Sequence, residues 1–301
     1  RWIEKSLNIY LNKILETKNV DYVIASDTDS VYITFDKLVT KLFPEGTSTE
    51  KVINFLDKIA NEKLEPFIDK SYQHLAGEMN AYDQKMQMAR EAIADKGIWT
   101  AKKRYILNVW DMEGVRYKEA KLKIMGIEAV KSSTPAPCRE KIKQALKIIM
   151  NGDEKMLNTF IKEFREEFMN LSPEEIAYPR SVNGLEKFAG ESTLFAKGAP
   201  IHCKGAILYN HLIKKNKLEN KYQLIQNGDK IRFLHMRQPN VFQSSAFSFM
   251  TEVPKELDIS NKIDYDMQYE KSFIEPLKVI TEKINWLISY GAQSTLEDFF
   301  G

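Results

Sequence analysis

The sequence predicts an α+β fold with an antiparallel sheet, and three observations carry that prediction. Within residues 1–17, apolar side chains fall at Trp2, Ile3, Leu7, Tyr10, Leu11 and Ile14, close to the helical period. The stretch from Tyr22 to Phe35 sets Asp27 and Asp29 between two apolar, β-branched runs, the pattern of a hairpin with paired acids at its tip. From Ile98 to about Ile127 the texture is that of strands and tight turns.

Taken in order, the chain opens as a helix leading into the acidic hairpin. Helical periodicity returns over about 49–79, starting at Ser48 or Thr49, with Pro66 at or near a break. Ile98-Trp99-Thr100 and 104–110 read as strands, Asp111 to Gly114 as a turn, and Val115-Arg116-Tyr117 as the returning strand. The polar, proline-bearing stretch 132–137 marks a domain junction or a helix start, and is taken as the boundary. Beyond it, helices are expected over 141–150 and 154–168, separated by Asn151-Gly152-Asp153 as a stop and restart. An irregular, Gly-rich piece over 189–205 precedes a helix-like 206–215, a β-like run over 230–235 and a last helix over about 269–287. No internal repeat or low-complexity tract interrupts this order.

A chain of 301 residues that is 43% hydrophobic can bury a substantial core. It holds no apolar run of about 18 residues, so no membrane span is expected. Its N-terminus does not pair a basic segment with an apolar one, so no signal peptide is expected either. Cys138 and Cys203 stand alone, without metal-ligand spacing, which fits a reducing cytosol. With 44 basic against 42 acidic residues the net charge is only +2, so a nucleic-acid partner would have to be read by local patches. One such patch exists: residues 101–131 carry eight basic and four acidic side chains. Arg1 stands where an initiator Met would, which predicts a piece of a longer protein.

Two carboxylates one residue apart on a strand can point the same way, and they repel unless a cation sits between them. Hard divalent ions such as Mg²⁺ suit that donor set. A solvated turn is the plain alternative, since Asp and Thr are ordinary turn residues. A calcium loop of EF-hand type fails, because Val31 and Tyr32 stand where further oxygen ligands and a glycine are needed. An Asp-x-Asp of the glycosyltransferase type, holding a nucleotide-sugar through Mn²⁺, remains as an enzyme alternative.

Asp27-Thr28-Asp29-Ser30 between apolar strands, preceded by a helix, resembles the C-motif of the family B DNA polymerases of large tailed bacteriophages. Further stretches agree in order: Arg90-Glu91-Ala92-Ile93-Ala94; Trp99 to Tyr105 with Lys102, Lys103 and Arg104; Asn108 to Gly114; and Lys121 to Glu128 followed by Lys131-Ser132-Ser133-Thr134-Pro135. Together they cover roughly residues 1–137, with weaker similarity beyond.

The resemblance implies a DNA-directed DNA polymerase, a nucleotidyltransferase that works through two Mg²⁺ ions, positioning reactants and neutralising developing charge. It makes Asp29 the ligand that bridges the metals, Asp27 an accessory acid and Glu91 a member of an outer carboxylate set. Ala89 stands two positions before Glu91, where the phage pattern leads one to expect another acid. Lys102, Lys103, Arg104 and Tyr105 match the family's Lys-x-Tyr element, which lies along the primer strand, and Lys121, Lys123 and Lys131 extend the same basic strip. The bare chemistry agrees, since cations neutralise phosphates and an aromatic ring packs on sugar or base. His202 and Lys204, within 197–205, resemble a thumb segment that grips the product duplex, although Gly198 replaces the lysine that relatives place two positions before the proline.

At the C-terminus, Gln293, Leu296, Phe299 and Phe300 fit the pattern of sliding-clamp-binding peptides, in which one helical turn gathers the apolar side chains into a plug. The family's partner catalytic Asp, its nucleotide-binding helix and its exonuclease belong upstream of the C-motif and are not found. The expectation is therefore a partial polymerase palm over 1–131, a mainly helical thumb over 132–287 and a clamp-binding tail over 288–301. Its partners are primer-template DNA, deoxynucleoside triphosphates, a sliding clamp and a missing N-terminal polymerase part. Phage genome replication in the cytoplasm of the infected bacterium is the expected setting, with little activity from the chain alone. The alternative is a non-catalytic DNA- and clamp-binding remnant. The glycosyltransferase reading explains neither the basic strip nor the tail.

Overall fold

Apolar residues spaced along one side of the first helix, α1 (Trp2–Ile14), bury Ile3, Leu7 and Leu11 against Tyr22 and Val23. The computed structural model describes residues 2–190 and 194–289, and the chain folds as two compact units. The first comprises Arg1–Gly97 with Ile106–Lys123, and the second Ile98–Tyr105 with Ile124–Gly301.

In the first unit, α1 is followed by the antiparallel hairpin of β1 (Val23–Ser26) and β2 (Val31–Ile33), as expected. A short helix that the sequence pattern did not reveal, α2 (Asp36–Leu42), comes next. Then α3 (Thr49–Ile59) runs through a π-helical turn, Ala60–Leu64, into α4 (Glu65–Glu78), with Pro66 in its first turn. The break expected at Pro66 is thus a widened turn and not a stop. Proline has no N–H to donate and its ring crowds the carbonyl four residues back, and a wider turn accommodates both. Ala60, Leu64 and Ile68 join the α1 core.

A three-stranded sheet is ordered β3 (Ala92–Ala101), β4 (Arg104–Met112), β5 (Val115–Met125). β3 begins earlier than the sequence suggests. Two-residue turns join the strands, and at the second of them Glu113 and Gly114 have φ of 51° and 84°, the left-handed pair that tight hairpins favour.

In the second unit, 132–137 leads directly into α5 (Ala136–Asn151), so the prolines serve as a helix start. Gly152 ends that helix, and Asp153 caps α6 (Glu154–Phe168) by accepting from the Met156 N–H at 2.8 Å, the stop and restart that the sequence predicts. The short α7 (Pro173–Ile176) precedes β6 (Tyr178–Ser181), and α8 (Leu185–Phe188) precedes α9 (Ile201–Lys215). The sequence starts α9 later, because Pro200 and Gly205 read as irregular; Pro200 is in fact its N-cap. β7 (Lys230–His235) matches expectation and pairs antiparallel with β6 and with β8 (Ala246–Phe249). This sheet adds strand content to a region expected to be mainly helical.

The C-terminal helical stretch consists of α10 (Tyr265–Tyr269), a π-helical turn Glu270–Ile274 and α11 (Glu275–Thr281), and again a proline, Pro276, follows the wide turn. Phe164, Phe168, Tyr269 and Phe273 form the aromatic centre of the unit, with rings 4.7–5.8 Å apart. Both cysteines are free and buried. Burial pushes the Cys138 thiol up to about 12, leaving it an inert core group that donates to Ser272 Oγ at 3.2 Å.

Candidate nucleic-acid interface and acidic hairpin

The acidic hairpin is held by α1 through polar side chains one helical turn apart. Asn8 Oδ1 accepts from Tyr22 N at 2.8 Å and Val23 N at 3.3 Å, and Asn12 bonds both the N–H and the carbonyl of Val20. These contacts set the backbone that leads into β1. The tip is closed by Asp27 N donating to Ser30 O at 2.9 Å. Asp27 Oδ1 accepts from Thr28 N at 2.8 Å, while Asp29 is exposed.

Both acids offer hard oxygen donors of the kind a divalent ion takes, so they suit Mg²⁺ as part of a ligand set. Among the described residues no group of three or more His, Cys, Asp or Glu side chains comes together to hold a metal. Glu91 is therefore not gathered with Asp27 and Asp29; its carboxylate ion-pairs Lys123, and its carbonyl accepts from Glu113 N at 2.6 Å.

Beside Glu91 lies a charge network that the sequence did not reveal. Arg90 bonds the buried Asp111 and reaches Asp57 at 2.9 Å, while Arg116 lies 3.0 Å from Asp57 and 2.9 Å from Asp111. Arg90 N also donates to Glu65 Oε1 at 2.8 Å. Helices α3 and α4 and the β4–β5 hairpin are thereby tied to the segment carrying Glu91.

The basic strip divides by environment. Lys102 and Lys103 form the β3–β4 turn and are exposed. Arg104 donates to both oxygens of Glu128, at 3.0 and 2.8 Å, and Lys131 donates to the same carboxylate at 2.8 Å. Tyr105 is buried, its ring 6.2 Å from that of Trp99. Lys121 sits over the Tyr117 ring at 4.1 Å, and Lys123 is paired with Glu91. The sequence assigns Gly126 and Glu128 no role, although a glycine inside a strand-like run signals a close backbone approach.

His202 lies in the first turn of α9, half-buried, with its ring 6.4 Å from that of Phe233. Burial, and then the Arg180 charge, lower its pKa, so it is neutral at physiological pH. Lys204 is half-buried on the same helix. Gln293, Leu296, Phe299 and Phe300 lie outside the described residues. No helix among the described residues is long and apolar enough to cross a membrane.

No family model matches the chain. Two curated proteins do match it along its whole length. It is 32% identical to the DNA-directed DNA polymerase of Enterobacteria phage T4 and 37% identical to that of Escherichia phage RB69, each over 314 aligned positions. The chain spans 34% of the length of either relative. The resemblance read from its motifs is thus borne out: over its whole length the chain is similar to the DNA-directed DNA polymerases of these two phages, and it matches about a third of such a protein.

Proposed function

We propose that this chain is the palm and thumb portion of a phage DNA polymerase that carries out DNA-templated DNA synthesis in the infected cell. The observation that carries the reading is the pair Asp27 and Asp29 at the tip of a hairpin fixed by α1, in a chain whose whole length aligns with 34% of a phage polymerase. Palm function is assigned to 1–131, thumb function to 132–287 and clamp binding to 288–301, with Gln293, Leu296, Phe299 and Phe300 as the contacts to the clamp.

Asp29 and Asp27 are the residues that would hold Mg²⁺, with Glu91 farther out. When bound, the ions neutralise charge on the phosphates and lower the cost of displacing pyrophosphate from the incoming deoxynucleoside triphosphate. The two acids supply only part of the donor set, which is why a further carboxylate from an N-terminal polymerase part is required. Lys102, Lys103, Lys121 and Lys131 supply positive charge for the primer-template backbone, and His202 and Lys204 meet the product duplex.

Mixing the chain with the remaining, N-terminal part of the polymerase is expected to restore Mg²⁺-dependent primer extension. Asp29→Ala is expected to abolish that extension while leaving duplex binding intact. Unchanged extension by the variant overturns the catalytic assignment. Salt-sensitive duplex binding without any restored extension favours a non-catalytic DNA-binding remnant instead.

A further inference from the structure

The turn that joins β3 to β4 rests on the segment that follows β5. Lys103, its second residue, has a φ of 60°, and Gly126 a φ of 67°. A Cβ added to Gly126 would overlap the Lys103 carbonyl oxygen and lie 3.1 Å from Arg104 Cγ. Both the left-handed backbone and the close approach therefore demand glycine at this position.

Two residues further on, Glu128 takes hold of the same turn. Arg104 Nη2 donates to both of its oxygens, at 3.0 and 2.8 Å, and Lys131 Nζ donates to Oε1 at 2.8 Å. Glu128 itself cannot drift, because it opens a single 3-10 turn, Glu128–Val130, whose neighbours Ile127 and Ala129 are fully buried. On the strand side, Thr100 Oγ1 donates to the Arg104 carbonyl at 3.3 Å. All of these residues belong to the second compact unit.

A carboxylate inside a strip meant for phosphates works against attraction to DNA at long range, so its presence calls for a local reason. We propose that Gly126 and Glu128 are positioning residues: together they form a socket that fixes the β3–β4 turn, so that Lys102 is presented in one orientation to the duplex backbone. The proposal rests on the reading of the basic strip as a duplex contact. In the socket Arg104 is a brace. Its Nη2 is held by Glu128, and its stem lies over Gly126.

The sign of one substitution separates positioning from simple charge. Glu128→Gln keeps the shape and removes a negative charge, so plain electrostatics predicts tighter binding to a short DNA duplex. Positioning predicts weaker binding, with the salt slope smaller by about one phosphate contact. It also predicts faster amide exchange at 102–104 in the 301-residue chain without DNA. Gly126→Ala should act in the same direction on both readouts, and Glu128→Asp should restore part of the affinity. Glu119→Gln, which removes an exposed acid on β5, should leave exchange at the turn unchanged and bind duplex at least as tightly as the unaltered chain.

If Glu128→Gln binds duplex as tightly as the unaltered chain, or leaves exchange at 102–104 unchanged, the socket is overturned. If the unaltered chain shows no salt-dependent duplex binding, the reading beneath the proposal fails and the proposal with it. That outcome is distinguishable because it appears without any substitution.

Discussion

The carboxylate of Asp111, wholly shielded from solvent, ion-pairs Arg90 from 21 residues earlier in the chain. The pair is completed by Arg116 at 2.9 Å and by Gly114 N, which donates to Asp111 Oδ1 at 3.1 Å. A buried charge is tolerable only when its partners surround it, and removing one partner strands the other. Asp111→Ala is therefore expected to destabilise the chain by about 3–5 kcal/mol. The exposed pair Lys58–Glu62, separated by 3.9 Å, gives the contrast. Lys58→Ala should change stability by no more than about 0.5 kcal/mol. Urea unfolding of the two variants checks both values, and equal losses would sink the argument from burial.

Gly205 marks where α9 meets β8 most closely. A Cβ there would lie 2.7 Å from Ser248 N and 2.8 Å from the Phe247 carbonyl carbon, and would overlap Ser248 Oγ. The backbone atoms cannot rotate out of the way. Gly205→Ala should cost about 1–3 kcal/mol by overpacking, despite the better helix propensity of alanine. Thermal unfolding measures it, and a stabilised variant would show that the helix can lift from the strand without penalty.

His235 gives a pH dependence whose sign can be worked out. Its ring packs against Tyr178 and Phe233, and its pKa is lowered below 6.5, first by burial and then by Lys271, against the opposing pull of Asp264 and Glu275. His202 is lowered in the same way, by burial and Arg180. In the unfolded chain each takes up a proton near 6.5, while in the folded chain it resists until the pH is lower. The stability these histidines contribute is thus full above pH 6.5 and is lost as the pH falls below it. Urea midpoints measured from pH 7.5 down to about 5 should decline, and His202→Gln with His235→Gln should flatten that decline. An identical slope in the double variant would place its origin elsewhere.

Local pattern made the first helix, the acidic hairpin, β4 and the Asn151-Gly152-Asp153 break legible, because each is specified by residues adjacent in sequence. The Asp57, Arg90, Asp111 and Arg116 network was not legible, since Arg116 bonds an Asp57 that lies 59 positions away. β8 is buried at all four positions and shows no alternation to read, while Pro179 disguises β6. The basic strip was legible as charge but not as geometry. Nothing in the run 102–105 says that Arg104 turns to Glu128, or that Tyr105 is buried while Lys102 faces water.

Asp27 and Asp29 lead to a last prediction, about metal binding by the chain alone. Asp27 Oδ1 already accepts from Thr28 N at 2.8 Å, and no third acidic or metal-ligating side chain joins the pair among the described residues. Two carboxylates in an otherwise solvated tip leave a divalent ion most of its water, so affinity should be weak, on the order of millimolar. Mn²⁺, used as a paramagnetic probe, should broaden amide resonances at 26–31 selectively, and Asp27→Asn with Asp29→Asn should abolish the effect. Adding the N-terminal polymerase part should tighten binding, because another carboxylate raises the charge and completes the set. Micromolar binding by the chain alone would mean that the pair needs no partner, and the reading of the hairpin as half of a site would have to be abandoned.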